Sequence, residues 1–107
     1  MLYTYEAIVT GVYDGDSITL KCDLGYKITY EIKVRLYGID TPELRGSSRE
    51  KGLEARDFLR ELILDKKIIF HSIKDRKGKY GRYLGIIYLD DININDLLLD
   101  KGFAEPY

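Results

Sequence analysis

A small closed β-barrel carrying helices, an α+β arrangement, is the fold this sequence predicts, and three observations predict it. Five runs have strand character, and the opening ones are joined by links too short for parallel crossovers. One amphipathic helical stretch falls after the third run, and a shorter one lies near the end. The chain is 107 residues long, 45% hydrophobic, 12% aromatic and 33% charged. That is the size and composition of a single folded domain, 1–107, able to bury a core without metals or disulfides as staples.

The first two strands are read over Glu6 to Val12 and Asp16 to Cys22, flanking Asp14-Gly15. An Asp-Gly pair between β-rich runs signals a two-residue hairpin whose central positions need positive φ. In the second strand Asp16, Ile18, Leu20 and Cys22 share a face, which puts a carboxylate at the rim of an apolar surface. The third run, Ile28 to Tyr37, alternates: Ile28, Tyr30, Ile32, Val34 and Leu36 on one side, Thr29, Glu31, Lys33 and Arg35 on the other. After a polar loop, Ser47 and Glu50 have the spacing of a capping box for a helix of about 12–15 residues, with Ala55, Phe58, Leu59, Leu62 and Ile63 at helical spacing. Lys67 to Ile73 and Arg82 to Leu89 supply the last two strands, separated by a basic, Gly-containing loop. A short helix near Asn95 to Lys101 follows, with Asn93 or Asn95 as its cap and Gly102 as its stop.

The longest apolar runs are strand-length, so a membrane span is not expected. Neither a basic head nor an apolar signal core opens the chain. A cytoplasmic location is the expectation for a complete chain, and secretion remains open if a leader was removed. Cys22 is the only cysteine and lies in an apolar alternation, which makes it a core residue rather than a nucleophile. His71, the only histidine, sits inside a β-run and reads as structural. A net charge of −1 gives no global attraction to phosphate. Between Lys74 and Arg82, however, five basic residues face one acid, Asp75. Such a run is by default a solvated loop.

Four acids gather at two turns: Asp14 and Asp16 in the first hairpin, Asp40 and Glu43 after the third strand. Carboxylates with backbone carbonyls and water suit a hard cation, Ca²⁺ or Mg²⁺, and a flexible loop favours Ca²⁺. Taken singly, Asp-Gly-Asp is a common turn and Asp-Thr-Pro-Glu a common loop. Arg35 and Arg82 flank the acids, and a guanidinium grips phosphate bidentately at any working pH. A metal, a carboxylate to position or deprotonate water, and two arginines are the set that phosphodiester hydrolysis requires.

Four segments then carry a resemblance. Val12-Tyr-Asp-Gly-Asp-Ser-Ile-Thr-Leu20, Val34-Arg-Leu-Tyr-Gly-Ile-Asp-Thr-Pro-Glu43, Lys79-Tyr-Gly-Arg-Tyr-Leu84 and Asn95-Asp-Leu-Leu-Leu-Asp-Lys-Gly-Phe-Ala104 resemble, in order and interval, the successive signatures of the staphylococcal nuclease family. The resemblance implies a five-stranded OB-fold barrel and a monomeric Ca²⁺-dependent endonuclease acting on DNA and RNA, single-stranded or frayed by preference, with 3′-phosphate products. By the same resemblance Asp16 and Asp40 are carboxylate ligands of Ca²⁺, Thr41 adds a backbone carbonyl, and Asp14 is an outer acid. Glu43 contacts the metal's water as general base, Arg35 grips the phosphate, and Arg82 also stabilises the leaving 5′-oxygen. Lys79, Tyr80 and Tyr107 fall where the family meets the nucleotide, Tyr107 displaced by one residue.

The loop from Leu44 to Gly52 is a few residues shorter than in the best-known member, and the final helix of longer members does not follow Tyr107. The alternative reading is a catalytically silent OB-fold module that binds nucleic acid or protein. Against it stands the intact acid and arginine set, since a binder gains nothing from acids beside phosphate. An interaction domain unrelated to nucleic acid rests on the near-neutral charge alone.

Overall fold

The computed structural model describes residues 3–77 and 82–107, the side chains of 74–77 excepted. Five long strands make the barrel: β1 (Thr4–Asp14), β2 (Ser17–Asp23), β3 (Thr29–Leu36), β5 (Lys67–Lys77) and β6 (Tyr83–Leu89). Three two-residue strands, β4 (Ile39–Asp40), β7 (Ile92–Asn93) and β8 (Glu105–Pro106), complete the sheet structure. The order β3-β2-β1-β5-β6 closes through a parallel pairing of β3 with β6, Val34↔Tyr83 to Leu36↔Gly85. The barrel is therefore closed, as the short opening links predict, and its closure is of the OB type that the family resemblance implies. Among the described residues no helix is long and apolar enough to cross a membrane.

Alternation along the strands builds the core. Val9, Leu20, Val34, Leu36 and Ile87 point inward with no exposed surface. Helix α1 (Arg49–Ile63) brings Ala55, Leu59 and Ile63, and helix α2 (Ile94–Asp100) brings Ile94 and Leu98, all buried. Phe58 of α1 stacks on Phe103 at 4.5 Å between ring centroids, coupling the two helical regions. Cys22 is buried in this core, as its alternation predicts, and burial pushes its thiol pKa up. His71 Nδ1 lies 3.1 Å from the Thr4 hydroxyl within the β1–β5 pairing.

Three local expectations are corrected. Gly15 does not lie in the left-handed region; the hairpin turns on Gly15-Asp16, with Asp14 paired to Ser17. Its glycine is needed for close approach instead: a Cβ there would sit 2.8 Å from Thr41 Cγ2 and 2.9 Å from Ala55 Cβ. Ser47 does not cap α1, because a 3₁₀ turn (Gly46–Ser48) precedes it and the Ser48 hydroxyl donates to the Glu43 and Arg45 carbonyls. Ile28, just ahead of β3, and Tyr30, on the side of β3 that carries Val34 and Leu36 into the core, are both more than half exposed.

For α2 the cap is Asn93, whose side chain accepts from the Asp96 N–H, and Gly102 at φ +79° follows its end. Asn95 is buried and does other work. Its Oδ1 accepts from the Ile87 N–H, and its Nδ2 donates to the Tyr37 and Gly85 carbonyls. One side chain thus ties α2 to β6 and to the end of β3, just ahead of Asp40.

Candidate active site

Arg35 is the hub. The register Ser17↔Arg35 places it on the outer face of the β2–β3 pair, because its neighbours Val34 and Leu36 point into the core. Its Nη2 lies 3.6 Å from Asp16 Oδ2 and 3.3 Å from Asp40 Oδ1, so both carboxylates face one guanidinium nitrogen. Asp40 belongs to β4, which pairs with β8 (Ile39↔Pro106, Asp40↔Glu105). That pairing carries Tyr107 back to the site. Its N–H donates to the Gly38 carbonyl, and its ring lies over the Arg35 guanidinium at 4.7 Å from Cζ to the centroid, a cation–π stack.

Asp16 is 6% exposed, an unusual place for a carboxylate. Its Oδ2 accepts from the Thr41 N–H at 3.1 Å, and its Oδ1 from the Ser17 hydroxyl at 3.4 Å. Asp14 Oδ1 in turn accepts from the Asp16 N–H, an Asx turn that shapes the hairpin. Burial pushes the Asp16 pKa up from 3.8 to about 6, and the hydrogen bonding and charge of Asp14 push the same way. The Thr41 N–H and Arg35 oppose the rise only in part. The close packing of Gly15 on Thr41 and Ala55 is what seats this hairpin against loop and helix.

Ser17 extends the network to Arg82, whose Nη1 donates to the Ser17 hydroxyl at 2.7 Å. Asp16, Thr41, Asp40, Arg35 and Tyr107 are therefore brought together, with Arg82 joined through Ser17. Glu43 stands apart. Its side chain is 75% exposed and meets Arg45 Nε at 3.7 Å. Lys79 and Tyr80 lie outside the described residues. The sequence does not single out Ser17 and Arg45; they stand one residue after Asp16 and two after Glu43, a nearness that residue type alone does not mark.

Among the described residues no three His, Cys, Asp or Glu side chains converge as a preformed metal cluster. The donors nevertheless fit a hard cation. Asp16 and Asp40 each bring a carboxylate oxygen to the same Arg35 nitrogen, and the buried Thr41 hydroxyl, next in sequence to Asp40, has no hydrogen-bond partner among the described residues. Carbonyl and water oxygens are the usual complement of such a set around Ca²⁺.

A closed OB-type barrel with an acid–arginine cluster on the outer face of its third strand defines the class. Residues 33–107 match the family model described as staphylococcal nuclease homologue, and the chain belongs to that family. It is 31% identical over 104 residues to the thermonuclease of Staphylococcus hyicus, covering 94% of this chain and 57% of that protein. An uncharacterised protein of Methanocaldococcus jannaschii is 30% identical over 129 residues, covering 96% of this chain and 59% of that one. An endonuclease of Bacillus subtilis is 31% identical over 113 residues, 96% of this chain but 9% of that protein. The chain thus spans somewhat over half the length of the first two and a small part of the third.

Proposed function

We propose that this domain is a Ca²⁺-dependent nuclease that hydrolyses phosphodiester bonds of DNA and RNA, preferring single-stranded or frayed substrate and leaving 3′-phosphates. The observation that carries the reading is the convergence of Asp16 and Asp40 on the Arg35 guanidinium, with Arg82 one hydroxyl away. Family membership and relatives named thermonuclease and endonuclease support it.

In this reading Asp16, Asp40 and the Thr41 carbonyl hold the cation, which when bound polarises the phosphate and lowers the pKa of water. Arg35 meets the phosphate oxygens as a planar fork, held in orientation by the two carboxylates and the Tyr107 ring. Arg82, anchored by Ser17, offsets charge on the departing 5′-oxygen. Glu43, exposed on its loop, is free to swing from Arg45 to water, which it orients or deprotonates. Lys79 and Tyr80 contact the nucleotide in the same reading, and the active species is a monomer.

The test uses denatured DNA, duplex DNA and RNA, each with Ca²⁺ or with chelator. Cleavage is expected with Ca²⁺ only, fastest on denatured DNA, with 3′ ends that a polymerase extends only after phosphatase treatment. Binding without cleavage in Ca²⁺ would replace this reading by the silent binding module.

A further inference from the structure

The groove of about 680 Å³ that holds Arg82, Ser17 and Glu43 is also lined by side chains with no part in the proposed chemistry, Tyr13, Thr19 and Lys33 among them. Tyr13, Ser17, Thr19, Lys33, Arg45 and Arg82 line it. Resting on the nuclease reading, we propose that this groove is a subsite for the stretch of single-stranded nucleic acid flanking the bond to be cut, with Lys33 and Arg45 on its phosphates and Tyr13 under a base.

The register fixes the direction. Thr19↔Lys33 follows Ser17↔Arg35 along the same outer face, so Lys33 lies two residues from Arg35, about 7 Å along the strand. Two cations on one face, one step apart, suit consecutive phosphates of an extended chain. Lys33 is exposed and makes no ion pair among the described residues, so phosphate contact breaks nothing. Arg45 is 87% exposed and holds only the exposed Glu43, an ion pair of small worth that a phosphate readily displaces.

Tyr13, next to last in β1, has 74% of its surface in solvent. An exposed ring beside a cationic track is the arrangement by which single strands are held without regard to sequence. Asp14 and Glu43 also line the groove, at its loop end next to the cluster. They oppose phosphate there, and Arg45, paired with Glu43, offsets part of that charge. The subsite favours polymer over short substrate, and its track of unpaired bases excludes an intact duplex.

The test measures fluorescence anisotropy of labelled oligothymidylates, a dinucleotide and an octanucleotide, in chelator, alongside cleavage of both in Ca²⁺. Lys33→Glu/Arg45→Glu is expected to weaken octamer binding about tenfold or more and Tyr13→Ala severalfold, leaving the dinucleotide within twofold. Lys101→Glu, far along the chain at the end of α2, controls for net charge and should change neither. Equal losses for both lengths, no loss for either, or no octamer binding by the parent protein would overturn the subsite. If the parent protein cuts neither oligonucleotide but the binding pattern holds, the hydrolysis reading falls and the groove stands. If it cuts both and the variants bind the octamer normally, the groove alone falls.

Discussion

Asp40 and Arg82 reach the same network by different chemistry, and their removal should cause different failures. Asp40→Ala removes a carboxylate facing the proposed cation, whereas Arg82→Ala removes a guanidinium fixed on Ser17. Calorimetric titration should show weakened Ca²⁺ binding for the first and near-normal binding for the second, with both losing activity by about 10² or more. Equal loss of metal affinity would contradict the division of roles. Asp16 adds a pH signature. Its folded pKa, about 6, lies above the ordinary 3.8, so the folded state binds the proton more tightly than the unfolded chain. The stability this contributes is complete below the ordinary value and is lost as pH rises through about 6. Metal-free melts should therefore show a decline on the order of 1–3 kcal/mol across that window. Asp16→Asn keeps an oxygen for the Thr41 N–H and should flatten the decline, leaving neutral-pH stability equal or slightly higher. A variant that melts clearly lower at neutral pH would show that the Arg35 pair outweighs the cost of the buried charge.

At the scale of elements, the site exists because a hairpin, a loop and a helix meet at Gly15, Thr41 and Ala55. Gly15→Ala forces a methyl group against two side chains and should destabilise by about 1–3 kcal/mol, read from denaturant melts. It should also weaken Ca²⁺ binding, since Asp16 and Thr41 move with the turn. A fully stable Gly15→Ala would mean that the contact relaxes without moving the hairpin. The elements differ in how far the sequence disclosed them. β-branched alternation made β2, β3 and β6 legible, and α1 was marked by its apolar spacing. The turn at Gly15 was read from dipeptide statistics, but tertiary contact rather than φ dictates that glycine. Ser47 failed as a cap because its neighbour's hydroxyl bonds to loop carbonyls, a preference set by the loop's path. The two-residue strands β4 and β8 carry no periodicity, and without their pairing nothing places Tyr107 on Arg35.

On the scale of the whole molecule, the barrel converts distant segments into one face. Asp16, Arg35 and Asp40 come from the opening hairpin, the third strand and the strand after it; Arg82 is joined to them because β6 closes on β3. The chemical types at these positions were readable in the sequence, as was their grouping at turns, because phosphodiester hydrolysis of the proposed kind would restrict residue choice to acids and arginines. The groove along Lys33 was not, since a lysine on an alternating strand reads as ordinary solvation until the register sets it beside Arg35. With a net charge of −1, the proposed nuclease should engage few phosphates, and its cleavage should depend only shallowly on salt. A steep salt dependence, implying many phosphate contacts, would contradict this picture. If the proposed site holds Ca²⁺ with a nucleotide bisphosphate in the folded protein alone, the pair should raise its melting temperature by mass action.

The central claim, that the Asp16–Arg35–Asp40 cluster hydrolyses phosphodiesters with calcium, is tested most directly by one rate. The initial velocity on denatured DNA is compared for the parent protein in Ca²⁺, the same protein after chelation, and Arg35→Ala in Ca²⁺. Loss of rate by about 10² or more in both the second and third cases is the result the cluster predicts. Cleavage that survives chelation, or an Arg35→Ala protein that cuts at the parent rate, would contradict it.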